Sequence, residues 1–293
     1  MLLLLVQRQS ISATGHTGTF DILTASGTMG TLGTHGITLN GEALGSRQSA
    51  TLSGAAGALT LTTSSTNPNL TWTGGTNGNW NTTATGNWAS GEVFNADDFV
   101  LFDGTGANQS ITVGDGYGVQ VAGMRITGGN YTFSNGAIHG VAPTTGTQTR
   151  TGKLEVTGGS ATFNNAIDFV NGIDVSSGAA IELGNGGSFG SAIVNAGTVR
   201  FNRTENYTLT SNIAGGNVIK TNTGKLTLNA ATMSGTFTQE LGTVELAASR
   251  TWTGDYTQTA GTLTGSGTVT GDANLSGTVT PGLTHQIAEL PLF

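Results

Sequence analysis

The chain has 293 residues, among them 48 glycines and 52 threonines, with 10 basic and 17 acidic side chains, a net charge of -7 and no cysteine. Charged residues make up only 9%, and glycine and β-branched threonine disfavour helices, so the composition points to an all-β protein. The 36% apolar content at low net charge argues against disorder. Collagen is excluded by four prolines without a Gly-X-Y period, and the scattered basic residues give no nucleic-acid surface. Without cysteine there are no disulfides, thiolate nucleophiles or cysteine metal sites.

At the N-terminus, Met1 to Val6 is apolar but shorter than the roughly 7 to 15 residues of a signal-peptide core, and no positive region precedes it. It is not read as an export signal. No window reaches the roughly 20 apolar residues of a spanning helix. Gly57-Ala58-Leu59-Thr60-Leu61 is the first example of a recurring pattern, glycine followed by alternating apolar residues.

Trp72, Trp80 and Trp88 recur every eight residues among glycine and asparagine. They are expected to fill or cap a core, with stacking on sugars or partner proteins as the alternative. Asp97-Asp98, Arg125-Ile126-Thr127 and Ile138-His139-Gly140 are partial echoes of the acid, base and substrate-binding motifs of polysaccharide hydrolases. Adjacent strand residues face opposite sides, so the two carboxylates are read as a polar turn rather than an acid/base pair. Asp103-Gly104-Thr105-Gly106 and Asp115-Gly116 suggest turns, since calcium loops need tandem repeats or a fuller oxygen set. The histidines His16, His35, His139 and His285 form no spaced pair, and no metal or cofactor is expected.

Pro68, Pro143 and Pro281 mark possible boundaries, and no proline lies between the last two. Within that stretch the glycine-led pattern returns at Gly152 to Val156, Gly197 to Phe201, Gly224 to Leu228 and Gly242 to Leu246, with variants at Ala180 to Leu183 and Gly261 to Thr264. Each unit reads as a short strand with two apolar side chains inward. The units begin about 18 to 27 residues apart, one turn of a stacked solenoid. We therefore expect a right-handed parallel β-helix of roughly a dozen coils. Asn-Gly at 77, 135, 171 and 185 keeps antiparallel hairpins open as an alternative. Thr-x-Thr pairs beginning at 251, 257, 262, 268 and 278 are spaced by less than one coil, so they cannot all share one face as an ice-binding array would require.

Gly216 to Leu246, GNVIKTNTGKLTLNAATMSGTFTQELGTVEL, resembles the passenger-associated transport repeat of bacterial autotransporters, a strand ending in Lys-Thr-Gly followed by two Gly-x-Leu-x-Leu units. Lys220-Thr221, Gly224 to Leu228 and Gly242 to Leu246 stand at matching places, while Thr236-Phe237-Thr238 replaces the usual Tyr-x-Gly. Gly261 to Gly282 looks like the ending of such repeats; Phe20 to Ala25 and Ile37 to Gly41 resemble the close of an upstream passenger unit, and Thr71 to Trp88 the opening of the next. The resemblance implies an organisation of 1–66 as the end of an upstream unit, 67–146 as a Trp/Gly/Asn-rich β segment, 147–282 as solenoid with the transport repeat at 216–282, and 283–293 as a tail outside the pattern. Leu226, Leu228, Val244 and Leu246 should form its core, with Gly224, Gly242 and Gly261 at its turns. It further implies a fragment of a larger surface protein, extracellular in its parent and attached to the membrane only through a barrel that this chain lacks. Such a passenger is a non-enzymatic scaffold for secretion and adhesion to a host cell, a neighbouring cell or a polysaccharide; the alternative is a carbohydrate-active β-helix.

Overall fold

A computed structural model describes residues 18–24, 38–39, 42–43, 48–55, 58–65, 69–82, 86–114, 118–141 and 152–282. The chain divides into two compact units, Met1–Pro68 with Pro143–Gln148, and Asn69–Ala142 with Thr149–Phe293.

In the first unit, Ala58–Ser65 lies between Gly18–Thr24 and Gln48–Ala55, antiparallel to both. Thr38–Leu39 and Glu42–Ala43 form a further short antiparallel pair. The glycine-led pattern at Gly57 is thus a strand here too, but in an antiparallel sheet. A period of two fixes which side chains share a face, and leaves the direction of the neighbouring strand open.

The second unit is a parallel β-solenoid. One sheet runs through ten strands, from Asn79–Trp80 through Thr198–Asn202 and Thr236–Gln239 to Ala273–Leu275, every pair in it parallel. A second contains thirteen strands and a third five, again with parallel pairing. From Leu154 onward the second sheet receives strands beginning at 154, 173, 193, 213, 233, 251 and 268, a step of 17 to 20 residues. The whole stack makes about nine turns, fewer than the dozen expected. The shortfall arises because residues before 69 supply the antiparallel sheet instead, while turns before Leu154 consume more chain than later ones.

Strand Val119–Ile126 joins the two parts of the stack. It pairs with Ile138–Gly140 through its first half and with Leu154–Val156 through its second. The Asn-Gly pairs at 171 and 185 sit at corners between parallel strands rather than at hairpins. At 185 the strand that follows belongs to a different sheet, whereas at 171 both flanking strands belong to the thirteen-stranded sheet.

Inward side chains stack in columns set by the register. One column in the thirteen-stranded sheet reads Leu70, Val100, Met124, Leu154, Ile173, Ile193, Ile213, Met233, Trp252 and Val269. Nearly all of these are buried, and together they form the dry seam that burial of apolar surface favours. Outer positions carry polar side chains in matching ladders: Ser160 Oγ donates to Asn130 Oδ1 at 2.8 Å and Asn222 Nδ2 to Asn202 Oδ1 at 3.3 Å. Several charges that stack on neighbouring turns are of opposite sign, as in Arg125 with Glu155 and Glu182 with Arg200; Glu155 also faces Asp174, which forms an ion pair with Lys153. Like charges in those places would repel across a strand gap of about 4.8 Å.

Candidate functional site

The coils between Asn217 and Thr280 carry the transport-repeat residues. Leu226, Leu228, Val244 and Leu246 are all buried, as their alternation requires. They stack as Leu226 on Val244 and Leu228 on Leu246 between strands Lys225–Leu228 and Thr243–Leu246. Outside them, Lys225 Nζ donates to Glu245 Oε2 at 2.7 Å and Thr227 Oγ1 donates to the same oxygen at 3.1 Å. The Lys225 hydrogen bond, aided by that from Thr227, holds the Glu245 carboxyl below the usual carboxylate range.

Gly224, Gly242 and Gly261 stand at corners where successive turns approach closely. A side chain at Gly242 would overlap the Asn222 carbonyl, and one at Gly261 the Gly242 carbonyl. Both also have positive φ, 74° and 86°, so space and backbone conformation select glycine together.

The interior on the other side of these turns is not what apolar alternation alone would lead one to expect. In the ten-stranded sheet an inward column runs Ile111, Phe133, Phe163, Leu183 and Phe201, then continues as Lys220, Gln239 and Gln258 before ending at Leu275. Apolar residues give way to polar ones inside the core. All three are buried, and each is satisfied by backbone. Lys220 Nζ donates to the carbonyls of Thr221 at 2.5 Å, Asn222 at 2.7 Å and Leu241 at 3.4 Å. Gln239 Nε2 donates to Gly242 at 2.9 Å and Thr262 at 3.0 Å, while its Oε1 accepts the Tyr256 hydroxyl at 2.8 Å. Gln258 Nε2 donates to Gly261 at 3.1 Å and Thr278 at 3.2 Å, and the Gly277 N–H donates to Gln258 Oε1 at 3.3 Å. Each side chain therefore links its own corner to the next coil. Burial pushes the Lys220 ammonium down to about 8, and the three carbonyls are what supports its charge there. The available signal was a polar residue two places after an apolar one, recurring at 220, 239 and 258.

Trp72, Trp80 and Trp88 are buried, filling the core of the first turns with Phe94, Phe102 and Phe133. Trp72 meets Trp88 edge-to-face at 5.1 Å, and Trp80 meets Trp88 likewise at 5.6 Å. Trp72 Nε1 donates to the Asn108 carbonyl at 2.7 Å, whereas Trp80 Nε1 and Trp88 Nε1 have no hydrogen-bond acceptor. Asn87 ties the loop around them: its Oδ1 accepts the Thr76 and Asn77 N–H groups, and its Nδ2 donates to Asn77 Oδ1 and the Asn79 carbonyl. These rings are packing residues, not an exposed stacking platform.

Asp98 is fully buried at the head of strand Asp98–Phe102 and accepts the Asn95 N–H at 2.8 Å. Asp97, at positive φ, accepts from Gln120 Nε2 at 2.9 Å. Both carboxylates are thus built into one turn. Asp103 accepts the Thr105 N–H at 2.9 Å and its hydroxyl at 2.6 Å, which lowers its pKa and closes the expected Asp-Gly turn. Arg125 pairs with Glu155 and lies over Phe99, and His139 is exposed on the outer face beside Asp168. His16, His35, His285 and Asp115-Gly116 fall outside the described residues. The Thr-x-Thr pairs do separate: Thr251 stacks on Thr268 in one sheet, Thr257 occupies a second, and Thr262/Thr264 stack on Thr278/Thr280 in a third. Among the described residues no helix is long and apolar enough to cross a membrane, which says nothing of a β-barrel.

Comparison with protein-family models found no match, and neither curated proteins nor solved structures gave one.

Proposed function

We propose that the chain is a non-enzymatic scaffold segment of an autotransporter-like surface protein, extracellular in its parent, which supports secretion and presents an outer face for contact with a cell surface or polysaccharide. The observation that carries this reading is the pairing pattern from Leu154 to Pro281, where every strand pairs in parallel with an equivalent one turn away, most of them on both sides. A stack of this kind grows by adding one coil of about 19 residues at a time, with small loop-closure entropy at each step. Such growth suits a chain that crosses a membrane unfolded and folds as it emerges. The absence of cysteine fits the same route, since no disulfide loop forms before passage.

On this reading residues 216–282 act as a folding seed. The test joins the chain to an export signal and a membrane barrel and compares deletion of 216–282 with deletion of an equal length from 147–215. Surface display, read by protease accessibility on intact cells, should fall further in the first deletion. Equal display would overturn the seed role. A depolymerisation screen against acidic and neutral polysaccharides, with Asp97→Asn and Asp98→Asn controls, separates the scaffold from a carbohydrate-active enzyme.

A further inference from the structure

We infer that the interior column Lys220, Gln239 and Gln258 is a register lock for the coils of 217–282, fixing how far along its neighbour each new coil settles. Strands Thr236–Gln239, Thr243–Leu246, Thr262–Gly265 and Thr278–Pro281 all begin with threonine, an apolar residue and a polar residue, and in three of them the polar residue is again threonine. A slip by one residue would turn apolar side chains outward, so alternation forbids it. A slip by two keeps every apolar side chain inside. Apolar contact is non-directional and resists such a slip weakly.

Earlier coils have shape to prevent it. In the same column Phe133 stacks on Phe163 with ring centres 5.2 Å apart. Beyond Phe201 the column carries no ring, and polar side chains take over; the stacked rings of these coils, Phe237 on Tyr256 at 4.9 Å, lie in the neighbouring column, and Tyr256 is itself bonded to Gln239. Each of the three donates both to a carbonyl of its own corner and to one in the following coil, Leu241, Thr262 and Thr278 in turn. Hydrogen bonds are directional and short-ranged. Displacing the next coil by two residues, about 6.6 Å along the strand, breaks the inter-coil bond and strands a buried donor. From the neighbouring strands Lys220 meets Phe201 and Gln239. The charged side chains next to those positions, Arg200 and Glu240, approach each other at 3.8 Å on the outer face. No carboxylate among the described residues forms an ion pair with Lys220, so its bonds are to backbone and encode position.

The lock can be read directly because the chain has no cysteine of its own. Ile219 and Thr238 face each other across two turns in register, and a two-residue slip would bring Ile219 opposite Thr236. Directly opposed strand residues fall within disulfide reach, whereas a partner two places along lies about 8 Å away and does not. The double-cysteine proteins Ile219→Cys/Thr238→Cys and Ile219→Cys/Thr236→Cys are prepared in the parent and in the triple variant Lys220→Met/Gln239→Leu/Gln258→Leu. After refolding and oxidation the parent should cross-link only the in-register pair, and the triple variant should cross-link the slipped pair to a comparable extent. A triple variant that folds and cross-links only in register overturns the lock. Gln258→Leu alone, read with Thr257→Cys/Asn274→Cys against Thr257→Cys/Ser276→Cys, decides the question if the triple variant does not fold. There too, retention of a single register refutes the inference.

Discussion

Replacing Leu228 by alanine tests both the inward register and the locality of the stack. Leu228 is buried between Leu209 of the preceding coil and Leu246 of the following one, so truncation removes buried methyl groups at a site walled by two fixed turns. Large-to-small substitutions of this kind cost about 2–5 kcal/mol. The lower bound alone corresponds to about a 30-fold rise in local opening. The outward Thr227→Ala change loses only the half-exposed bond to Glu245 and should stay within about 0.5 kcal/mol. Hydrogen exchange read by mass spectrometry is the appropriate assay, because a stack of coils need not unfold in one step. Protection should fall in strands Tyr207–Leu209, Lys225–Leu228 and Thr243–Leu246 and hold in Leu154–Val156 and Ala180–Leu183. Unchanged protection would show that Leu228 does not pack inward, and a loss spread evenly over all coils that the stack does not open locally.

The Lys220 ammonium sits lower in the folded chain, at about 8, than its ordinary 10.5. The folded state therefore binds this proton less tightly than the unfolded one. Its full penalty acts below pH 8 and is relieved between 8 and 10.5, so coils 217–246 should gain protection over that window, and Lys220→Gln should flatten the gain. Gly261→Ala should destabilise the stack more than Gly178→Ala in urea titrations, since both positions have positive φ but only Gly261 meets a neighbouring carbonyl. Trp72, Trp80, Trp88 and Trp252 are all buried; their fluorescence should be blue-shifted and poorly quenched by acrylamide, and ready quenching would reopen the reading of the first three as a stacking surface.

Much of the solenoid was legible in the sequence because glycine-led alternation of apolar residues specifies both a strand and its buried face. Leu226, Leu228, Val244 and Leu246 point inward for that reason. The same alternation at Gly57 to Leu61 gave an antiparallel strand, because pairing direction depends on what the corner allows and not on the strand itself. The polar column escaped notice on similar grounds. A single lysine or glutamine at a strand end reads as solvent-facing, and only the register places Lys220 beneath Phe201. Asp97 and Asp98 were legible as a turn, whereas the complete burial of Asp98 depends on the fold around it.

On the proposed function, the coils of 216–282 form first and template the rest. Pulsed hydrogen exchange during refolding of the intact chain tests it most directly, coil by coil. Strands Asn217–Thr221, Lys225–Leu228, Thr236–Gln239 and Thr243–Leu246 should gain protection before Leu154–Val156, Ser160–Asn164 and Ala180–Leu183. Earlier protection of the second group, or simultaneous protection of both, would contradict it.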